Sequence, residues 1–146
     1  SLTNLRLDHN DLTGPIHLSD SHVEVLLNHN QLDGVLSQDF FTANSNLQTL
    51  YLHHNRLTGS VPGTLNLATD LEYLRLDENE FTGTLPTLAT LIKLKELRMD
   101  RNSLAGPLPS GLSTMQDLVH LDLANNGFTG TFHGVRCEND NRITCS

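Results

Sequence analysis

Six times the chain repeats the pattern L-x-x-L-x-L-x-x-N-x-L-x-G, and each copy carries one asparagine in the same place: Asn10, Asn30, Asn55, Asn79, Asn102 and Asn126. Successive asparagines lie 20, 25, 24, 23 and 24 residues apart. Such a period belongs to short stacked coils rather than to paired-helix repeats of 33 residues or more. In a stack, each copy buries its apolar face against its neighbours, so the chain needs no central globular core.

One copy, Leu71 to Gly83, carries the physics. Alternation around Leu74 and Leu76 has the period of two that marks a strand, turning both leucines inward and Tyr73, Arg75 and Asp77 to the opposite face. Two residues past each asparagine an apolar residue returns (Leu12, Leu32, Leu57, Phe81, Leu104, Phe128), and two further on stands a glycine where the chain must bend. The asparagine amide, with two donor hydrogens and an acceptor oxygen, suits the backbone groups left without partners at the turn, so the six should form an internal ladder.

Residues 1–132 are read as six repeats and 133–146 as a capping tail. The net charge of -8, from 9 basic and 17 acidic residues, speaks against nucleic acid or an anionic membrane as partner. No apolar run approaches the ~18 residues needed for direct membrane insertion. The chain opens at Ser1-Leu2 inside a repeat, so it is expected to be a fragment or to have that end covered by another chain.

Both cysteines, Cys137 and Cys145, lie beyond the last repeat. A local disulfide closing the end of the stack is favoured over two free thiols, and over zinc, because two thiolates do not fill a tetrahedral site. The absence of an Asn-x-Ser/Thr sequon removes one expected mark of a secreted surface.

The fuller copies read Leu57-Thr58-Gly59-Ser60-Val61-Pro62, Phe81-Thr82-Gly83-Thr84-Leu85-Pro86 and Leu104-Ala105-Gly106-Pro107-Leu108-Pro109. This form resembles the plant-type extracellular leucine-rich repeats of receptor kinase ectodomains, receptor-like proteins and polygalacturonase inhibitors. The resemblance implies an α/β solenoid: a right-handed superhelix with a concave parallel sheet of about six strands, short strands on the flank and mostly 3-10 or loop segments on the convex side. Copies one, two and six carry His17, Ser37 and His133 in place of the proline, and the second copy has His22 and Val25 where leucine is usual. The 20-residue period makes the crossing His17–Ser21 a minimal turn. The tail from Val135 to Ser146 is similar to the start of cysteine-rich endings in diatom and algal leucine-rich repeat proteins.

Function is expected on the outward columns of the concave sheet. Four places before each asparagine stand Arg6, Leu26, Tyr51, Arg75, Arg98 and Asp122; six before stand Asn4, Glu24, Thr49, Tyr73, Glu96 and His120; two before stand Asp8, Asn28, His53, Asp77, Asp100 and Ala124. Both tyrosines of the protein are on this face, and Tyr and Arg are types enriched at interface anchors. Leu26, Tyr51, Tyr73, Arg75 and Arg98 are therefore read as one diagonal binding patch. The alternative is that Arg75 and Arg98 only neutralise Asp77, Asp100 and Glu96, with the tyrosines covering the sheet.

Immediately before three asparagines come His9, His29 and His54, with His53 beside the last. Stacking in register would align three imidazoles, as a metal-ligand strip, a proton-sensitive group or a plain solvated rim. The strings Asp8–Asp11 and Asp77–Glu80 lack the glycine position and closing glutamate of a calcium loop. No G-x-S-x-G, H-E-x-x-H or phosphate-binding glycine loop occurs, and Glu24, Glu72 and Glu96 lack an apolar pocket in the sequence that would raise a pKa for acid catalysis.

The resulting expectation is a cofactor-free, non-enzymatic recognition module of an extracellular or cell-surface protein, holding a protein or peptide on its concave face. An inhibitor-like variant would clamp a secreted enzyme with that face. Two alternatives stand beside it: a wall or fibre component assembling end to end through the uncapped coil at Leu2, Leu5 and Leu7, and a cytosolic scaffold with free thiols.

Overall fold

The computed structural model describes residues 2–18 and 21–130. The cysteine pairing, the capping tail and part of the short crossing lie outside the described residues. Each copy contributes two short strands, one to each of two six-stranded parallel sheets. The main sheet runs through Asn4–Arg6, Glu24–Leu26, Thr49–Tyr51, Tyr73–Arg75, Glu96–Arg98 and His120–Asp122 in chain order. The flanking sheet runs through Thr13–Gly14, Gln31–Val35, Arg56–Ser60, Glu80–Gly83, Ser103–Pro107 and Gly127–Thr129, likewise copy by copy.

The middle residue of each main strand points inward, so Leu5, Val25, Leu50, Leu74, Leu97 and Leu121 face each other across successive coils. From Val25 to Leu97 these side chains have no exposure, and Leu52, Leu76 and Met99 one step along are equally enclosed. Full burial of one such side chain contributes roughly 1.5–3 kcal/mol, and the stack repeats it coil after coil.

The asparagine ladder forms as the repeat demands. The Asn79 amide donates to the carbonyls of Leu52, Leu76 and Asp77 at 2.9, 3.2 and 3.3 Å, and its oxygen accepts the Leu57 N–H at 3.0 Å. Asn30, Asn55, Asn102 and Asn126 repeat the arrangement, each tied both to its own coil and to the one before. Asn10, in the first coil, bonds only to Leu7 and Asp8 of that coil.

The convex side is mostly irregular, with 3-10 turns at Gly63–Leu67 and Leu112–Thr114 and one five-residue α-helix, Asp39–Ala43, that sinks Phe40 and Phe41 into the core. Next to that helix the two departures of the second copy are accommodated. His22, where leucine is usual, is buried, and its ring Nδ1 lies 2.8 Å from the Asn44 oxygen, which also accepts the His22 backbone N–H at 3.1 Å. Because the Asn44 amide nitrogen is committed to the Phe40 carbonyl, His22 must carry its proton on Nδ1. No helix among the described residues is long and apolar enough to cross a membrane.

Candidate functional site

Parallel pairing sets the outward residues of the main sheet in straight rows. Arg6, Leu26, Tyr51, Arg75, Arg98 and Asp122 are directly opposite one another, strand to strand. Four of the five anticipated patch residues thus lie in one line rather than on a diagonal, about 4.8 Å apart per strand. Tyr73 stands in the neighbouring row, between Thr49 and Glu96.

Side-chain contacts sort this row by availability. The Arg75 guanidinium lies over the Tyr51 ring at 5.7 Å and is held by Asp77 at 3.0 and 3.2 Å, with Glu96 at 3.9 Å. Burial acts to lower the Arg75 pKa, but the hydrogen bond and charge of Asp77, aided by Glu96, prevail and keep it above its ordinary value. Lys95 sits 5.8 Å from the Tyr73 ring centre while bonded to Glu72 at 2.6 Å, and Arg6 is bonded to Glu24 at the same distance. Arg98 is different: its nearest carboxylate, Asp122, is at 3.8 Å, and its Nε has no partner. Arg98, His120, Leu121 and Asp122 line a shallow hollow of about 120 Å³. Neutralisation by Asp77 and Glu96 therefore describes Arg75, whereas Arg98 keeps donor capacity to spare.

The row two places before the asparagines departs from expectation. It lies on this face of the coil, yet Asn28, His53, Asp77 and Asp100 are buried, at 6, 4, 3 and 3 % exposure. Arg75 bonds to Asp77, Arg101 lies 3.4 Å from Asp100, and the rings of His29, Tyr51 and His54 stand around His53, packing that strand alternation does not express. Burial, reinforced by Asp122 and Asp77, raises the Asp100 pKa, and its Oδ1 lacks a hydrogen-bond partner. The His53 Nδ1 is likewise unpartnered, and burial together with the Arg75 charge lowers that imidazole to about 4.

The residue immediately before each asparagine adopts a left-handed backbone: φ is 55°, 53°, 53°, 53°, 53° and 54° at His9, His29, His54, Glu78, Arg101 and Asn125. From His9 to Arg101 their side chains touch in succession, coil to coil. The imidazoles of His9 and His29 stack with centroids 4.3 Å apart, and those of His29 and His54 at 4.2 Å. His54 Nδ1 then meets Glu78 at 2.7 Å, and Glu78 meets Arg101 at 2.6 Å. The three histidines do align, but they turn ring faces to one another instead of converging their nitrogens. Among the described residues no group of three or more His, Cys, Asp or Glu side chains is placed to hold a metal ion.

Comparison with known proteins agrees with this architecture. The leucine-rich repeat family matches residues 23–81, and again 93–115 and 117–135. A curated relative, pollen receptor-like kinase 2 of Arabidopsis thaliana, is 34% identical over 89 residues, covering 59% of this chain and 14% of that protein. Among solved structures, a pollen receptor kinase 3 superposes with a TM-score of 0.78 at 30% identity, over 93% of this chain and 67% of that one. The leucine-rich repeat ectodomain of the Arabidopsis thaliana receptor kinase GASSHO1/SCHENGEN3, solved with CASPARIAN STRIP INTEGRITY FACTOR 2, gives 0.83 at 32% identity, over 86% of this chain and 16% of that one. The chain thus spans about a seventh of the curated relative's length. With its repeats, its two parallel sheets and these relatives in agreement, the chain belongs to the leucine-rich repeat family, in the form found in plant receptor kinase ectodomains.

Proposed function

We propose that the chain is a non-catalytic recognition module of an extracellular or cell-surface protein, binding a peptide or protein on the face of its main sheet through Leu26, Tyr51, Tyr73, Arg75 and Arg98. The observation that carries this reading is the in-register row Leu26–Tyr51–Arg75–Arg98, which offers an apolar contact, an aromatic ring and two cations at the spacing of adjacent strands. An extended peptide laid across the strands would meet one side chain per coil. The sheet holds those side chains ready, so little order has to be created on binding. Related ectodomains solved with peptides, PEPR1 with AtPEP1 and RGFR1 with RGF2, support a ligand of this class.

The test selects binders from a displayed random-peptide library on the wild-type protein and measures them on the variant Tyr51→Ala/Tyr73→Ala. Unchanged thermal stability with affinity reduced at least tenfold, equivalent to about 1.4 kcal/mol, is the expected outcome. Full retention of affinity by a folded variant would remove the tyrosines from the site.

A further inference from the structure

We propose that His9, His29, His53 and His54 form an acid-responsive latch on the first three coils: four imidazoles packed as a neutral group, which proton uptake forces apart. The geometry is unusually tight for titratable groups. His29 has a stacked ring on either side, with planes 22° and 20° from its own, and the His53 ring stands edge-on to His29 at 5.3 Å and to His54 at 5.6 Å. Tyr51 of the main sheet is the next ring, 5.7 Å from His53.

The backbone gives these rings no room to drift. His9 and His29 donate their amides to the carbonyls of Asn28 and His53, both at 3.0 Å, and His54 donates to Asp77 at 3.1 Å. Charged rings must therefore share the coil spacing or swing out of the column.

Facing groups make the cluster asymmetric. The outer rings have carboxylates, Asp8 at 2.9 Å from His9 and Glu78 at 2.7 Å from His54, although Arg101 competes for Glu78. Neither inner ring has a hydrogen-bonded carboxylate. Asp77 draws His53 towards the charged form, but that carboxylate is engaged by Arg75, whose own charge opposes it. Protonation at His29 would thus place like charges against either neighbour, and protonation at His53 would bury one without a partner. Burial and the adjacent imidazoles hold His29 below its ordinary value, consistent with this placement.

The sign follows from linkage. An imidazole protonated in the unfolded chain near 6.5 but only at about 4 when folded contributes stability that is complete above pH 6.5 and disappears as pH falls towards 4. Any effect on a ligand rests on the proposed binding face, through Tyr51; the proton linkage does not.

The test therefore needs only the protein. Chemical unfolding between pH 7.5 and 4.5 is compared for wild type, His29→Asn/His53→Asn and the outlying control His17→Asn, with imidazole titrations of the wild type followed by NMR. Asparagine already occupies both kinds of position, at Asn125 and Asn28. Each additional proton taken up on unfolding raises the unfolding constant about tenfold per pH unit. The double variant should lose at least one such factor while His17→Asn keeps the wild-type slope, and His29 and His53 should titrate below the ordinary imidazole range. Equal slopes in wild type and double variant, or ordinary titration of His29 and His53, overturn the proposal. Should the double variant fail to fold at pH 7.5, the wild-type titrations alone decide.

Discussion

Asn79 shows how much one side chain carries here. Its amide closes four backbone groups that water cannot reach, so Asn79→Ala should destabilise by roughly 1–3 kcal/mol, read from the urea midpoint. Asn79→Asp keeps the oxygen for Leu57 but sets a carboxylate against three carbonyls. It should therefore be the more damaging at pH 7 and recover partly as acid protonates it. Asp100 invites the opposite substitution. Its raised pKa means that the charged form is disfavoured in the fold, so its contribution falls as pH rises past the ordinary carboxylate range. Asp100→Asn, matching Asn28 of the same row, should match or exceed wild-type stability at pH 7 in thermal melts and flatten the pH dependence around pH 4. The asparagine ladder was legible in the sequence because one residue type recurs at one place. The left-handed backbone before it was not, because His, Glu, Arg and Asn all occupy that position and none announces it.

At the scale of elements, the strands of the main sheet follow directly from alternation around each leucine pair, and the flanking sheet from the plant-type resemblance rather than from periodicity. The helix Asp39–Ala43 escaped because five residues are too few for a helical repeat to register, while its driving force, burial of adjacent Phe40 and Phe41, is tertiary. Leu26, Tyr51, Arg75 and Arg98 share one column in the sequence, and strand pairing keeps them in that line; the diagonal came from adding Tyr73, which belongs to the neighbouring row. Two glycines near the convex turns test local sterics. At Gly111, with φ of 107°, a Cβ would meet the Ala89 backbone at 2.7 and 2.8 Å, whereas at Gly63 nothing lies within 4 Å. Gly111→Ala should lower the melting temperature by several degrees, on the scale of about 1–3 kcal/mol for backbone strain. Gly63→Ala should leave it unchanged or raise it slightly.

For the molecule as a whole, strands pair only between neighbouring coils among the described residues, so each coil is held by the ones beside it. Leu97→Ala, fully buried with a coil on either side, should cost about 2–5 kcal/mol, read from the urea midpoint. The ladder also has a direction. Asn30, Asn55, Asn79, Asn102 and Asn126 each reach back to the preceding coil, and none requires anything downstream. A ribosome releasing this chain would present each of these asparagines with partners already made, while backbone amides such as Leu27 and Leu52 wait for the carbonyls of the coil that emerges next.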